Sequence, residues 1–215
     1  MSTLFMLTER PSVYLASKSP RRHELLRQIG VEFEELLLRE APGRRRDIVE
    51  VPRKDEAPFE YVKRVARTKA AVGWHRMGRR ELLPKPVLAA DTEVVVDGIV
   101  LGKPDDAADA ASMLERLSGR THDVVTAVAI RWNAQIVLGM SVSRVTFRTI
   151  ARDEIERYIT TGEPCDKAGA YAIQGFAARF VAELRGSYSG VMGLPLFETA
   201  QMLERLAGPA PRKFS

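Results

Sequence analysis

The run Ser17-Lys18-Ser19-Pro20-Arg21-Arg22 gathers hydroxyls, backbone donors and two guanidiniums within one short stretch. Val13-Tyr14-Leu15-Ala16 ahead of it suits a buried strand, and Leu25, Leu26 and Ile29 behind it recur at helical spacing. Ser19 fits an N-cap, Pro20 the first helical position, and Gly30 the stop. Arginines at a helix N-terminus oppose the helix dipole unless an anion sits among them. The stretch therefore reads as a phosphate cradle, with a solvated strand-to-helix connection as the alternative it leaves open.

A second stretch, Val87-Leu88-Ala89-Ala90-Asp91-Thr92, reads as a buried strand ending in an aspartate. That places a carboxylate at a strand end, where α/β sheets bind ligands. Lys69 stands seven residues after Val62 on one helical stripe, either snorkelling to solvent or reaching for an anion. Other chemistries lack their residues. Neither G-x-G-x-x-G nor G-x-x-x-x-G-K-[ST] occurs, and His23, His75 and His122 are scattered, with no H-E-x-x-H to suggest a zinc hydrolase. Cys165, the sole cysteine, has no nearby histidine to activate it and excludes an internal disulfide. What remains is Asp91, Glu50, and several lysines and arginines, a set suited to metal-assisted attack by water on a phosphoryl group.

The elements that must carry these groups follow in order. A strand over 31–38 is expected after the first helix, then a polar stretch with Arg44-Arg45-Arg46. A helix starts at Phe59, with Val62, Val65, Ala66 and Ala70 on one face, and ends near Gly73. Val94-Val95-Val96, Asp97-Gly98 and Ile99-Val100-Leu101 predict a hairpin. Asp105 is expected to cap a helix that runs to Ser118-Gly119. Long strands 124–132 and 136–147, a helix over 153–159, a turn-rich 163–175, a strand over 180–184 and a last helix opened by Pro195 complete the chain. Residues 1–12 read as an N-terminal extension, 13–206 as a single domain and 207–215 as a tail.

With 215 residues and 45% hydrophobic content the chain can bury a substantial core. A net charge of +5 invites an acidic partner, nucleotide or nucleic acid. Apolar runs long enough for a signal segment or a membrane span are missing, which sets the expectation of a soluble cytoplasmic protein with no membrane partner. The arginine run has no interleaved aromatics, so base stacking is unsupported there.

Ser17-Lys18-Ser19-Pro20-Arg21-Arg22-x-Glu24-Leu25-Leu26, Ala90-Asp91-Thr92, Leu101-Gly102-Lys103-Pro104 and Asp166-Lys167-Ala168-Gly169-Ala170-Tyr171 stand in the order seen in the Maf-like nucleoside triphosphate pyrophosphatases, a family historically linked to septum formation. The turns Gly186-Ser187-Tyr188 and Gly193-Leu194-Pro195 are similar too, and the resemblance covers residues 13–206. It implies an elongated mixed α/β sheet with surrounding helices, resembling the inosine triphosphate pyrophosphatases, with two lobes around a cleft. It also implies a homodimer that releases pyrophosphate from a nucleoside triphosphate with a divalent cation, Mg²⁺ or Mn²⁺. Residue by residue, the resemblance makes Asp91 the general base and a metal ligand, and Glu50 a second carboxylate for metal. Ser17, Arg21, Arg22, Lys69 and Lys103 become the triphosphate contacts. Arg21, Thr92 and Gln174 match the triplet of the dTTP/UTP-acting branch. Lys18 departs from the small residue common in the first loop, and the segment 43–47 is longer and more basic than is usual. The rival readings are a 7-methyl-GTP pyrophosphatase of the same family and a non-catalytic module that regulates division or grips nucleic acid.

Overall fold

Ser12–Leu15 form the first strand, β1, whose Val13, Tyr14 and Leu15 are buried. The structure is a computed structural model that describes residues 12–39 and 48–207. The terminal segments and the Arg44-Arg45-Arg46 run lie outside the described residues. β1 leads through the turn at 16–19 into helix α1 (Pro20–Gln28), which ends at a left-handed Gly30 as its sequence predicts. The second strand, β2 (Glu32–Glu35), is shorter than the expected 31–38. Among the described residues its only partner is the four-residue β1, so pairing stops at Leu15↔Glu35, and Leu36 leaves the sheet for the core.

Helix α2 (Pro58–Arg79) packs across the sheet and does not stop near Gly73. Gly73 is buried within it, and a Cβ there would stand 2.8 Å from Val87 Cγ1. The glycine marks close helix–sheet approach, not a helix end. Strand β3 (Val87–Val96) follows, with Asp91 at mid-strand, not at the strand end expected from the sequence. Asp97 and Gly98, both at positive φ, turn it into β4 (Ile99–Leu101), the predicted hairpin. Asp106, not Asp105, caps α3 (Ala107–Leu117), its side chain accepting from Asp109 N at 2.8 Å.

Strands β5 (Thr121–Trp132) and β6 (Gln135–Phe147) form a long antiparallel pair. Helix α4 (Arg152–Thr160), three short 3₁₀ segments, strand β7 (Val181–Arg185), a five-residue helix α5 (Tyr188–Met192) and α6 (Leu196–Ala207) complete the described residues. The strand order is β2-β1-β3-β5-β6-β7, with β4 on β3; β1 runs parallel to β2 and β3, and the other pairs are antiparallel. This is the mixed α/β sheet with flanking helices that the sequence implies.

The twofold alternation of β3 sorts its side chains between two cores. Val87, Ala89 and Val95 join α2's Val65, Ala66 and Ala70, while Leu88 and Ala90 join Leu25 and Leu26 of α1 and Met202 of α6. A third cluster gathers Leu114, Phe147, Tyr158, Tyr171 and Phe180 around β4, α3 and α4. His122 is buried at its edge, with Nε2 2.8 Å from Tyr171 Oη and an unpaired Nδ1.

Gly73→Ala must push α2 or Val87 aside and is expected to destabilise the protein by about 1–3 kcal/mol in urea unfolding. Gly78→Ala on the same helix meets open space and should stabilise by up to ~1 kcal/mol. His122 supplies a pH test: burial lowers its pKa from 6.5 to about 4, so the unfolded chain takes up the proton first. Stability should therefore fall as pH drops from about 6.5 to about 4, by roughly 3 kcal/mol in all, with no further loss from this group below that. Denaturant midpoints across that range should lose this limb in His122→Gln.

Candidate functional site

β3 is paired with β5 on one side along almost its whole length, but its other side changes partner. β1 covers Val87 and Leu88, β4 covers Val94 to Val96, and among the described residues no strand lies between. A cleft of about 350 Å³ occupies this gap. Because the gap interrupts the sheet, side chains from both faces of β3 reach it: Asp91 and Glu93 on the α2 face, Thr92 on the other.

On the α2 face Lys69 is clamped between carboxylates. Its Nζ lies 2.8 Å from Asp91 Oδ1 and 3.0 Å from Glu50 Oε1. Burial works against the ammonium, but Asp91 and Glu50 outweigh it and the net pKa shift is upward. Lys69, its side chain 13% exposed, is thus paired with two carboxylates of the protein rather than snorkelling to solvent.

On the opposite face the guanidinium of Arg22 is fixed by three donations. Nε donates to Gly193 O at 2.8 Å, Nη1 to Ser17 Oγ at 3.2 Å and Nη2 to Thr92 Oγ1 at 3.3 Å. Thr126 Oγ1 gives its own proton to Gly190 O at 2.7 Å. The Thr92 hydroxyl, 2.9 Å from Thr126 Oγ1, must therefore donate to Thr126 and accept from Arg22. Thr92 positions the arginine. Burial lowers the Arg22 pKa, opposed first by Asp91, and the Arg21 pKa is likewise lowered by burial and opposed by Asp166. Arg21 Nε reaches Met192 O at 3.3 Å. Ser19 occupies the N-cap without a side-chain cap; Ser17 Oγ instead accepts from Ser19 N at 3.2 Å. The first turn of α1, with N–H groups that have no helical acceptor, opens on the cleft.

Lys103, just past β4, and Gln174, in the segment between the 3₁₀ turns, line the remaining wall. All nine residues singled out in the sequence thus meet at one cleft. The Gln174 loop is fastened from behind. Glu163 accepts from Tyr158 Oη at 2.8 Å, Phe176 N at 2.9 Å and Ala177 N at 3.3 Å, and a side chain on Gly175 would collide with that carboxylate.

Sequence reasoning passed over Glu93 and gave no role to Asp166, Lys167 and Tyr171, quoted there only as part of a motif; all four line the same cleft. Glu93 is buried, and its carboxyl is pushed up to about 8, by burial first and then by the Asp91 charge, against the pull of Lys69. Its position two residues beyond Asp91 was the available signal. Asp91 Oδ2 and Glu93 Oε2 are buried without a hydrogen-bond partner. Hard, unpaired carboxylate oxygens fit Mg²⁺ or Mn²⁺. Among the described residues no three His, Cys, Asp or Glu side chains converge to hold an ion unaided. A magnesium site that shares its ion with substrate phosphates needs only one or two carboxylates.

A family model described as Maf-like protein matches residues 12–206. The dTTP/UTP pyrophosphatase of Nitrosomonas europaea is 54% identical over 192 residues, covering 89% of this chain and 93% of its own length. That of Aromatoleum aromaticum is 54% identical over 198 residues, 92% of this chain and 96% of its own. The Nitrosospira multiformis dTTP/UTP pyrophosphatase is 52% identical over 195 residues, 91% of this chain and 94% of its own. No helix among the described residues is long and apolar enough to cross a membrane.

Proposed function

The chain belongs to the Maf family, and on that premise we propose that it hydrolyses dTTP and UTP to the nucleoside monophosphate and pyrophosphate. The observation that carries the reading is a buried aspartate, one oxygen of which has no partner, among the residues of a cleft also lined by Arg21, Arg22, Lys69 and Lys103. Water attacks the α-phosphorus, the bond to the bridging oxygen breaks, and pyrophosphate leaves with the electron pair. The Asp91 carboxylate accepts the water's proton, while Lys69 holds it through Oδ1 and fixes its direction. Ser17, Arg21 and Arg22 at the start of α1, with Lys69 and Lys103, hold the phosphates through charge-assisted hydrogen bonds. Asp91 and Glu50 would hold a divalent cation, Mg²⁺ or Mn²⁺, which when bound neutralises charge gathering on the leaving group.

Arg21, Thr92 and Gln174 carry the preference for the base in this reading. The Gln174 amide both donates and accepts, matching the carbonyl and N3–H edge that uracil and thymine share. Thr92 contributes through Arg22, whose guanidinium its hydroxyl holds. The protein acts in the cytoplasm as a homodimer, clearing nucleotides from the pool.

Asp91→Asn should fold normally and lose ~10²–10⁴-fold in turnover, since the amide cannot take the proton. Retention of more than about half the rate would remove Asp91 as the base. With equal concentrations of competing nucleoside triphosphates, the wild-type protein should consume dTTP and UTP first and release pyrophosphate, not orthophosphate. Gln174→Glu should weaken dTTP and UTP hydrolysis, each unpaired group costing about 1–3 kcal/mol. A wild-type preference for 7-methyl-GTP would overturn the branch and leave the pyrophosphatase standing.

A further inference from the structure

Asp91 and Glu93 stand two residues apart on the α2 face of β3 and both line the cleft. Asp91 is 5% and Glu93 9% exposed, and each ends in a buried oxygen with no partner, Oδ2 and Oε2. The nearby ammonium does not supply the missing contact, because Lys69 Nζ is engaged by Asp91 Oδ1 at 2.8 Å and Glu50 at 3.0 Å. A buried carboxylate oxygen left unpaired costs the folded state free energy, and a pair of them on one strand face costs more. Such a cost persists at sites kept for a ligand. The ligand must carry positive charge, suit hard oxygens and fit beside the phosphate-binding wall of the same cleft.

We propose that Glu93 is a ligand of the divalent cation and shares the buried end of its site with Asp91. Asp91 Oδ2 and Glu93 Oε2 are the protein's inner oxygens, and water and triphosphate oxygens complete the shell. Glu50, whose side chain is 43% exposed and held on Lys69, closes the site from the solvent side. This inference rests on the reading of the cleft as a metal-dependent nucleotide site, and it adds a ligand that the sequence motifs do not mark.

Mn²⁺ binding, followed by the paramagnetic resonance of the free ion, tests it without turnover. Wild type and Glu93→Gln are titrated with and without an α,β-imido analogue of dUTP. The variant should bind Mn²⁺ about tenfold more weakly or worse, and should lose the rise in melting temperature that Mn²⁺ gives the wild type. Affinity for the analogue in EDTA should be unchanged. Should Glu93→Gln fail to fold, Glu93→Asp reads the same quantity, its shorter carboxylate again weakening the ion. A folded variant with wild-type Mn²⁺ affinity overturns the proposal, as does a wild type that binds no Mn²⁺ beside the analogue. Pyrophosphate release by the wild type together with unchanged affinity in the variant removes Glu93 and spares the reaction. Weakened Mn²⁺ binding in the variant of a protein that releases no pyrophosphate spares the site and removes the reaction.

Discussion

A strand inside a sheet has to satisfy its backbone on both sides, and β3 does so with two different neighbours. Up to Leu88 the neighbour is the parallel β1, from Val94 it is the antiparallel β4, and β5 holds the other side from Val87 to Val95. The change of partner leaves a window in the sheet at Asp91, Thr92 and Glu93. Alternation then sends the carboxylates to the α2 side and the hydroxyl to the α1 side, so one short segment addresses both walls. Anchoring at both ends by paired strand makes these directions rigid, which catalytic geometry requires.

The window also explains how so many charges share a small space. Lys69 separates two carboxylates, and the Arg22 guanidinium is held by a carbonyl and two hydroxyls rather than by a counter-ion. Removing one member of a buried pair leaves its partner uncompensated, at a cost of several kcal/mol. The neutral cradle keeps Arg22 oriented while its full charge stays available to an anion. On the proposed function, a metal–triphosphate complex would bring both signs, the cation to the carboxylates and the phosphates to the guanidiniums.

Much of this was legible in the sequence, for local reasons. Pro20 and Gly30 bracket α1, and Asp97-Gly98 takes the positive φ values of its hairpin turn. The failures were tertiary. Gly73 looked like a stop because propensity alone cannot distinguish a helix end from a place where Val87 comes too close for a side chain. Asp91 looked like a strand end because the gap depends on where β1 stops, which β3's residues do not encode. Glu93 stands between the strand run that ends at Thr92 and the valines that follow, and the sequence reading gave it no role, although its twofold register with Asp91 puts it on the same face. The five residues of α5 are too few for a periodic signal, yet they carry the carbonyls of Gly190 and Met192 that receive Thr126 and Arg21.

The Glu163 clamp has an evolutionary consequence. It ties the start of the 3₁₀ turn at 176–180, just beyond Gln174, to helix α4's Tyr158, leaving the side chain at position 174 out of the tether. On the proposed role of Gln174, a substitution there would exchange what the cleft reads while the loop stays where it is. Diversification of base preference can then proceed through single replacements that leave stability nearly untouched, and a new specificity need not await a rebuilt loop.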